Sequence, residues 1–173
     1  QEIINNKIAT IGENINLRRA TSIKGPNIYA YIHNSVSKDC GKIGVLVSLK
    51  GSKNEDFGKK LAMHIAATSP LALSETDIDK TLIDREKKII SEQLSAEGKP
   101  AEIAEKILSG KLKKFFEENT LLDQKFVMDP EKSVSKVLEN KNQVLVDFVR
   151  FKVGEGIDRK ESDFAAEVKG IVS

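Results

Sequence analysis

The sequence is short of most features that would mark a specialised setting. It has a single cysteine, Cys40, so no disulfide can form within the chain, and a reducing, cytoplasmic compartment is the simplest expectation. No apolar run approaches the ~20 residues of a membrane span, and no signal-peptide pattern opens the sequence, so no membrane partner is expected. There is no dominant sign of charge: 28 basic residues against 26 acidic ones leave a net +2. A dedicated nucleic-acid binder normally carries a basic patch with few acids, so direct nucleic-acid binding is not expected. Two histidines and one cysteine cannot close a structural zinc site without carboxylates, and no ligand-like spacing appears. Gly154-x-Gly156 has no third glycine at the required offset and no lysine-serine pair, so it is not a phosphate-cradling loop. No nucleophile lies in a pattern with a base. The expectation is no catalytic residue, no metal and no cofactor: a binding module rather than an enzyme.

What is present suits a soluble globular chain with a well-charged surface, 39% hydrophobic and 31% charged over 173 residues. That length fits one compact domain with an appendage. The dividing stretch is Asp77 to Glu118. Ile83, Ile90 and Leu94 form a thin apolar stripe on its first half, and Ala104, Leu108, Leu112 and Phe115 form another on its second. Gly98 suits a helix stop and Pro100 a helix start. Stripes so narrow are covered best by each other, which predicts a projecting antiparallel coiled-coil hairpin rather than two helices lying on a core.

Around this hairpin the pattern is mixed. Residues 1–10 read as a short helical lead-in, and the chain's start inside such a run is the pattern of a piece of something longer. Ile11 to Ile23 alternates like a strand with one buried face; Gly25-Pro26-Asn27 is a turn; Ile28 to His33 resumes the extended pattern; Asn34 to Gly41 reads as a polar loop. Lys42 to Lys50 is β-branched and nearly all apolar, a central strand. Asp56 to Ser69 is an alanine-rich helix ended by Pro70, with Ser74 and Thr76 as candidate caps beyond it. Asn119 to Pro130 reads as irregular, Val134 to Glu139 as a short helix, and Gln143 to Val153 as a second strong strand. A final helix is expected from Asp158, with Glu161 as its capping-box partner and Phe164, Val168 and Val172 as its buried stripe. Strands on both sides of the hairpin must pair across it to satisfy their backbone groups. The fold class expected is therefore α+β: a small antiparallel sheet of about three strands packed with helices. Residues 1–76 plus 119–173 form the core, and 77–118 is the inserted coiled coil.

Few side chains suggest a role by themselves. His64 sits mid-helix among apolar neighbours and reads as a packing histidine; His33, at a strand end, lacks an orienting carboxylate and reads as inert. Cys40 is a loop thiol, and Arg18-Arg19 a solvated charge pair. Phe126-Val127-Met128 either plugs the chain's own core or forms a docking patch.

Longer strings carry more. Ile11-Gly-Glu-Asn-Ile-Asn-Leu-Arg-Arg19, Gly44-Val-Leu-Val47, Leu61-Ala-Met-His-Ile-Ala-Ala67 with Pro70, and Gly98-Lys-Pro-Ala-Glu-Ile-Ala-Glu-Lys106 resemble bacterial elongation factor Ts. So do Phe126-Val-Met-Asp-Pro130, Arg150-Phe-Lys-Val-Gly-Glu-Gly-Ile157 and Asp163-Phe-Ala-Ala-Glu-Val168. The resemblance runs from end to end in the family's order and implies a guanine-nucleotide exchange factor of translation elongation. Such a factor binds elongation factor Tu, GDP-bound or nucleotide-free, and promotes GDP release so that GTP can enter. It also implies a coiled coil on the second of two core halves, agreeing with the hairpin. The family's N-terminal domain and first core half, with a Thr-Asp-Phe-Val motif, have no counterpart in this sequence. The implied chain is a C-terminal part competent to dock but weak in exchange. By resemblance the Tu-contacting positions are Ile11 and Gly12, toward the nucleotide-binding domain, and His33, Val127 and Met128, toward the third domain of Tu. Pairing of two copies into a homodimer is left open. The contrasting reading is an RNA- or ribosome-associated structural module using Arg18, Arg19 and the hairpin lysines.

Overall fold

A computed structural model describes residues 1–98 and 100–157. The expected helix from Asp158 to Val172 lies outside the described residues.

The chain opens with α1 (Glu2–Ile11), which buries none of its residues and stops at Gly12, whose φ of 78° is the left-handed cap that glycine adopts without penalty. Two long strands follow, β1 (Asn27–Ser37) and β2 (Cys40–Lys50), then α2 (Glu55–Thr68). After a single 3-10 turn at Glu75–Asp77 come α3 (Lys80–Ala96) and α4 (Ala101–Asn119). The chain returns through β3 (Lys125–Phe126), β4 (Asp129–Ser133), α5 (Val134–Asn140) and β5 (Val144–Lys152). β1, β2 and β5 form an antiparallel sheet in the order β1-β2-β5, with β2 central, and β3-β4 is a separate ribbon. The small three-stranded sheet with its helices is the expected α+β class, and β5, which follows α3 and α4 in the chain, does pair with β2.

One face of the sheet carries Tyr29, Val45, Val47, Leu49 and Leu145 into the core, where α2 meets them with Phe57, Leu61, Ala62, Ile65 and Ala66. Leu121, Phe126 and the α5 residues Val134, Val137 and Leu138 complete it. The orientation of α2 is fixed at its start. Asn54 caps the helix by accepting from the Phe57 N–H at 3.0 Å, while its own N–H donates to the Tyr29 hydroxyl at 2.9 Å. Gly58 then lets the helix ride directly over the Tyr29 ring: a Cβ there would come within 2.2 Å of Tyr29 Cγ. Gly58→Ala is therefore expected to destabilise by ~1–3 kcal/mol from overpacking, even though alanine is the better helix former by ~1 kcal/mol. Gly110→Ala, with nothing within 4 Å of the added Cβ on exposed α4, is expected to stabilise by ~0.5–1 kcal/mol. Melting both variants by circular dichroism separates the two.

α3 and α4 pack against one another. Ile90 and Leu94 are buried, and Ile83, Ala104, Leu108, Leu112 and Phe115 are half-buried, so both expected stripes are the covered sides. At the base of the pair the entering and leaving chains are stitched together. The N–H groups of Leu71, Leu121 and Leu122 donate to the carbonyls of Asn119, Ala72 and Leu73 at 2.9, 2.9 and 3.1 Å.

Three expectations are corrected. Residues 12–26 form no strand, despite their alternation: Leu17 is 72% exposed and only Ile23 is buried. The segment is held by side chains instead of a ladder. Arg18 donates to the carbonyls of Glu155 and Gly156, Arg19 pairs with the Glu155 carboxylate at 2.8 Å, and the Arg19 guanidinium lies 4.5 Å from the Phe151 ring centre. The Arg19 hydrogen bond first, and then the charges of Arg150 and Arg19, hold the Glu155 carboxyl below its ordinary range. Asn34 to Gly41 is not a loop either. β1 runs on to Ser37 and β2 begins at Cys40, joined across Lys38-Asp39 with a bulge between Ser35 and Ser37. Polar side chains on an exposed ribbon look like loop composition, but backbone pairing does not depend on them. Residues 119–130, expected to be irregular, contain β3 and the start of β4.

Candidate functional site

The β1 correction changes the setting of His33. It lies within a strand, opposite Ile43 of β2, which in turn pairs with Lys152 of β5. Side chains alternate along a strand, so His33 shares its face with Tyr31, the face that packs on α2. The Tyr31 hydroxyl and His33 Nδ1 are 3.1 Å apart, and the two rings are 6.1 Å centre to centre. At this end of the sheet α2 no longer covers the strands fully, and a groove opens. Its walls are Tyr31 and His33 from β1, Met63, Ala66 and Ala67 from α2, and Val127 and Met128 from the β3–β4 turn. Ile43, Arg150 and Lys152 from β2 and β5 lie beneath.

Three consecutive residues divide the labour at the turn. Phe126 is buried, its ring 6.3 Å from Phe57 and 5.5 Å from His64, while Val127 and Met128 are 48% and 46% exposed. Of the alternatives left open for 126–128, core packing holds for Phe126, while Val127 and Met128 are exposed apolar surface.

His64 is fully buried behind the turn. The Val127 N–H points at its Nδ1 at 3.3 Å, and its Nε2 lies 3.0 Å from Gln124 Oε1. An acceptor at Nδ1 requires the proton on Nε2, which donates to Gln124; the Gln124 amide donates in turn to the Glu118 carbonyl at 2.7 Å. Burial lowers the His64 pKa, outweighing the Gln124 bond that raises it, so the neutral ring is the resident form.

The groove has largely apolar walls and two basic residues beneath. Arg150 is spoken for: its guanidinium bonds the Ala66 carbonyl at 3.4 Å and pairs with Glu155 at 3.1 Å. Lys152 is exposed. Such a surface suits a protein segment with an apolar anchor and an acidic neighbour. Among the described residues no group of histidine, cysteine and acidic side chains could hold a metal ion, and no helix is long and apolar enough to cross a membrane.

His33, Val127 and Met128 thus line one groove. Ile11 and Gly12 do not: they end α1, with Ile11 57% exposed and open space around Gly12. Sequence reasoning missed Tyr31, Ile43, Met63 and Lys152. The Tyr31–His33 alternation was the available signal; the strand register that adds Ile43 and Lys152 was not readable.

Residues 1–155 match the family described as Elongation factor TS. The Elongation factor Ts of Paracoccus denitrificans is 48% identical over 169 residues, which cover 96% of this chain and 57% of the relative. The chain belongs to the elongation factor Ts family. Cereibacter sphaeroides (strain ATCC 17025) has an Elongation factor Ts 48% identical over 168 residues, 93% of this chain and 56% of the relative. That of Bartonella henselae is 46% identical over 177 residues, 95% of this chain and 58% of the relative. The chain spans less than three fifths of the length of these family members.

Proposed function

We propose that this chain docks on elongation factor Tu through the groove lined by His33, Val127 and Met128, as the binding part of a guanine-nucleotide exchange factor. The observation that carries the reading is that this groove holds three residues implied by the family resemblance, on one partly apolar surface, from two separate elements. A docking surface needs exposed apolar side chains held by a rigid frame, and Val127 and Met128 meet that description with Phe126 anchored beneath them. Ile11 and Gly12 are a second, separate contact in this reading, toward the nucleotide-binding domain.

The mechanism is thermodynamic coupling and needs no catalytic group in this chain. A partner that binds the nucleotide-free state of Tu more tightly than the GDP state lowers GDP affinity by the same factor. Equal affinity for the two states would release nothing. The contrasting RNA-associated reading loses support from Arg18 and Arg19, which are engaged with residues 151–156 of their own chain.

The test is to titrate the chain into Tu loaded with fluorescent GDP and to record binding and release separately. Saturable binding is expected, with GDP release slower than a full-length family member produces. Failure to bind at micromolar concentrations refutes the docking reading, and release as fast as the full-length factor refutes the division between docking and exchange.

A further inference from the structure

The turn that presents Val127 and Met128 is poorly suited to form by itself. Phe126 pairs with Asp129, so these two residues alone connect β3 to β4. Two-residue hairpins favour turns with positive φ at the first central position, usually asparagine, aspartate or glycine. Here the central residues are a β-branched valine and a methionine, and neither has a positive φ. The ribbon offers little help: β3 is two residues long, and its register slips between Lys125 and Phe126. An exposed apolar turn of this kind needs anchors outside itself.

Two are present. The Phe126 ring is one, buried against Phe57 and His64. The other is polar. Val127 N–H, at the corner of the turn, donates to Nδ1 of His64, a side chain on α2 with no exposure to solvent. His64 is itself held by Gln124, and Gln124 by the Glu118 carbonyl near the end of α4. The line runs from the turn through α2 to the base of the helical pair.

We propose that His64 is a positioning residue for the docking surface: its unprotonated Nδ1, fixed by the Nε2–H bond to Gln124, holds the Val127–Met128 turn in the conformation that a partner recognises. This rests on the groove being the Tu-docking surface. A packing histidine would need only its ring volume; a positioning histidine needs an acceptor at the Nδ1 site. Asparagine and glutamine separate the two roles. Asn Oδ1 falls near the place of Nδ1, whereas Gln places its amide near the place of Nε2 and leaves Val127 N–H without an acceptor.

The experiment uses the whole chain. In the wild type, imidazole 15N shifts should report a neutral His64 with hydrogen on Nε2; the opposite tautomer overturns the proposal without any variant. In His64→Gln, Val127 amide exchange should accelerate about tenfold or more and Tu affinity fall about tenfold, since one lost hydrogen bond is of that order. In His64→Asn both should stay within about threefold of wild type at matched folded fraction by circular dichroism. Equal behaviour of the two variants in Val127 exchange overturns the proposal whether or not Tu binds. Val127→Ala with Met128→Ala is the control for the underlying reading. If that control weakens Tu binding and His64→Gln does not, the positioning role is wrong; if neither weakens it, the groove is not the docking surface and the proposal falls with it.

Discussion

Replacing Val127 and Met128 by alanine together is expected to weaken binding to elongation factor Tu by ~2 kcal/mol or more while leaving the melting temperature almost unchanged. Both side chains are about half exposed, so the folded chain alone buries little through them. Truncating them removes contact area that only a partner would cover. One position earlier the outcome inverts. Phe126 is 4% exposed and packs with Phe57 and His64. Phe126→Ala should cost ~3–5 kcal/mol of stability, a large part of the ~5–15 kcal/mol available to a domain. Measuring Tm and Tu affinity on both variants tests the division at a single peptide bond. Early unfolding of the Val127/Met128 variant would show that the turn belongs to the core.

Removing 77–118 is the second large change, and here the expected effect on folding is small for so much deleted chain. We infer that α3 and α4 form an autonomous coiled-coil insertion between two parts of one domain. Among the described residues of 77–118, none belongs to the core formed by the sheet, α2 and α5, although Ile78 ahead of α3 is buried. The buried residues of the pair, Ile90 and Leu94, lie on the stripe that faces α4. Immediately outside the deletion, the hydrogen bonds from Leu71, Leu121 and Leu122 already hold the two ends side by side. A short Gly-Ser link therefore closes a small gap, and loop length itself costs little, with ~0.6 kcal/mol for each doubling. Several native contacts are lost at the cut: the Gln124 amide loses the Glu118 carbonyl, the Thr120 N–H and hydroxyl lose the Phe116 carbonyl, the Asn119 amide loses the Phe115 carbonyl, and the Ser74 N–H loses the Asp77 carboxylate, all of which the linker or water must replace. Cooperative melting should survive, and Tu binding should weaken moderately through loss of whatever the helices touch. Loss of cooperative melting would show that the helices brace the domain.

Much of this architecture was legible because its signals are local and periodic. The stripes at Ile83, Ile90 and Leu94 and at Ala104 to Phe115 needed only helical spacing, and Gly98 and Pro100 marked the break between them. The apolar run of β2 was recognisably central. The errors share one cause, that strand formation depends on a neighbour. Ile15 and Leu17 alternate correctly, but 12–26 pairs with neither outer edge of the β1-β2-β5 sheet, and two arginines anchor it to Glu155 instead. Ser35 to Cys40 looks like loop composition, yet β1 and β2 pair through it. The site was legible only in part for a similar reason. His33, Val127 and Met128 came from the family resemblance, and nothing local links residue 33 to residue 127. The bond from the Val127 N–H to His64 was not legible at all, because a backbone donor leaves no side-chain pattern.

Amide hydrogen exchange of the chain, free and bound to nucleotide-free Tu, tests the docking claim most directly. Exchange in the complex should slow at Tyr31–His33 and at Val127–Met128, with the far end of β1, at Asn27 and Ile28, unchanged. Protection confined to other surfaces, with 31–33 and 127–128 exchanging as in the free chain, would contradict it.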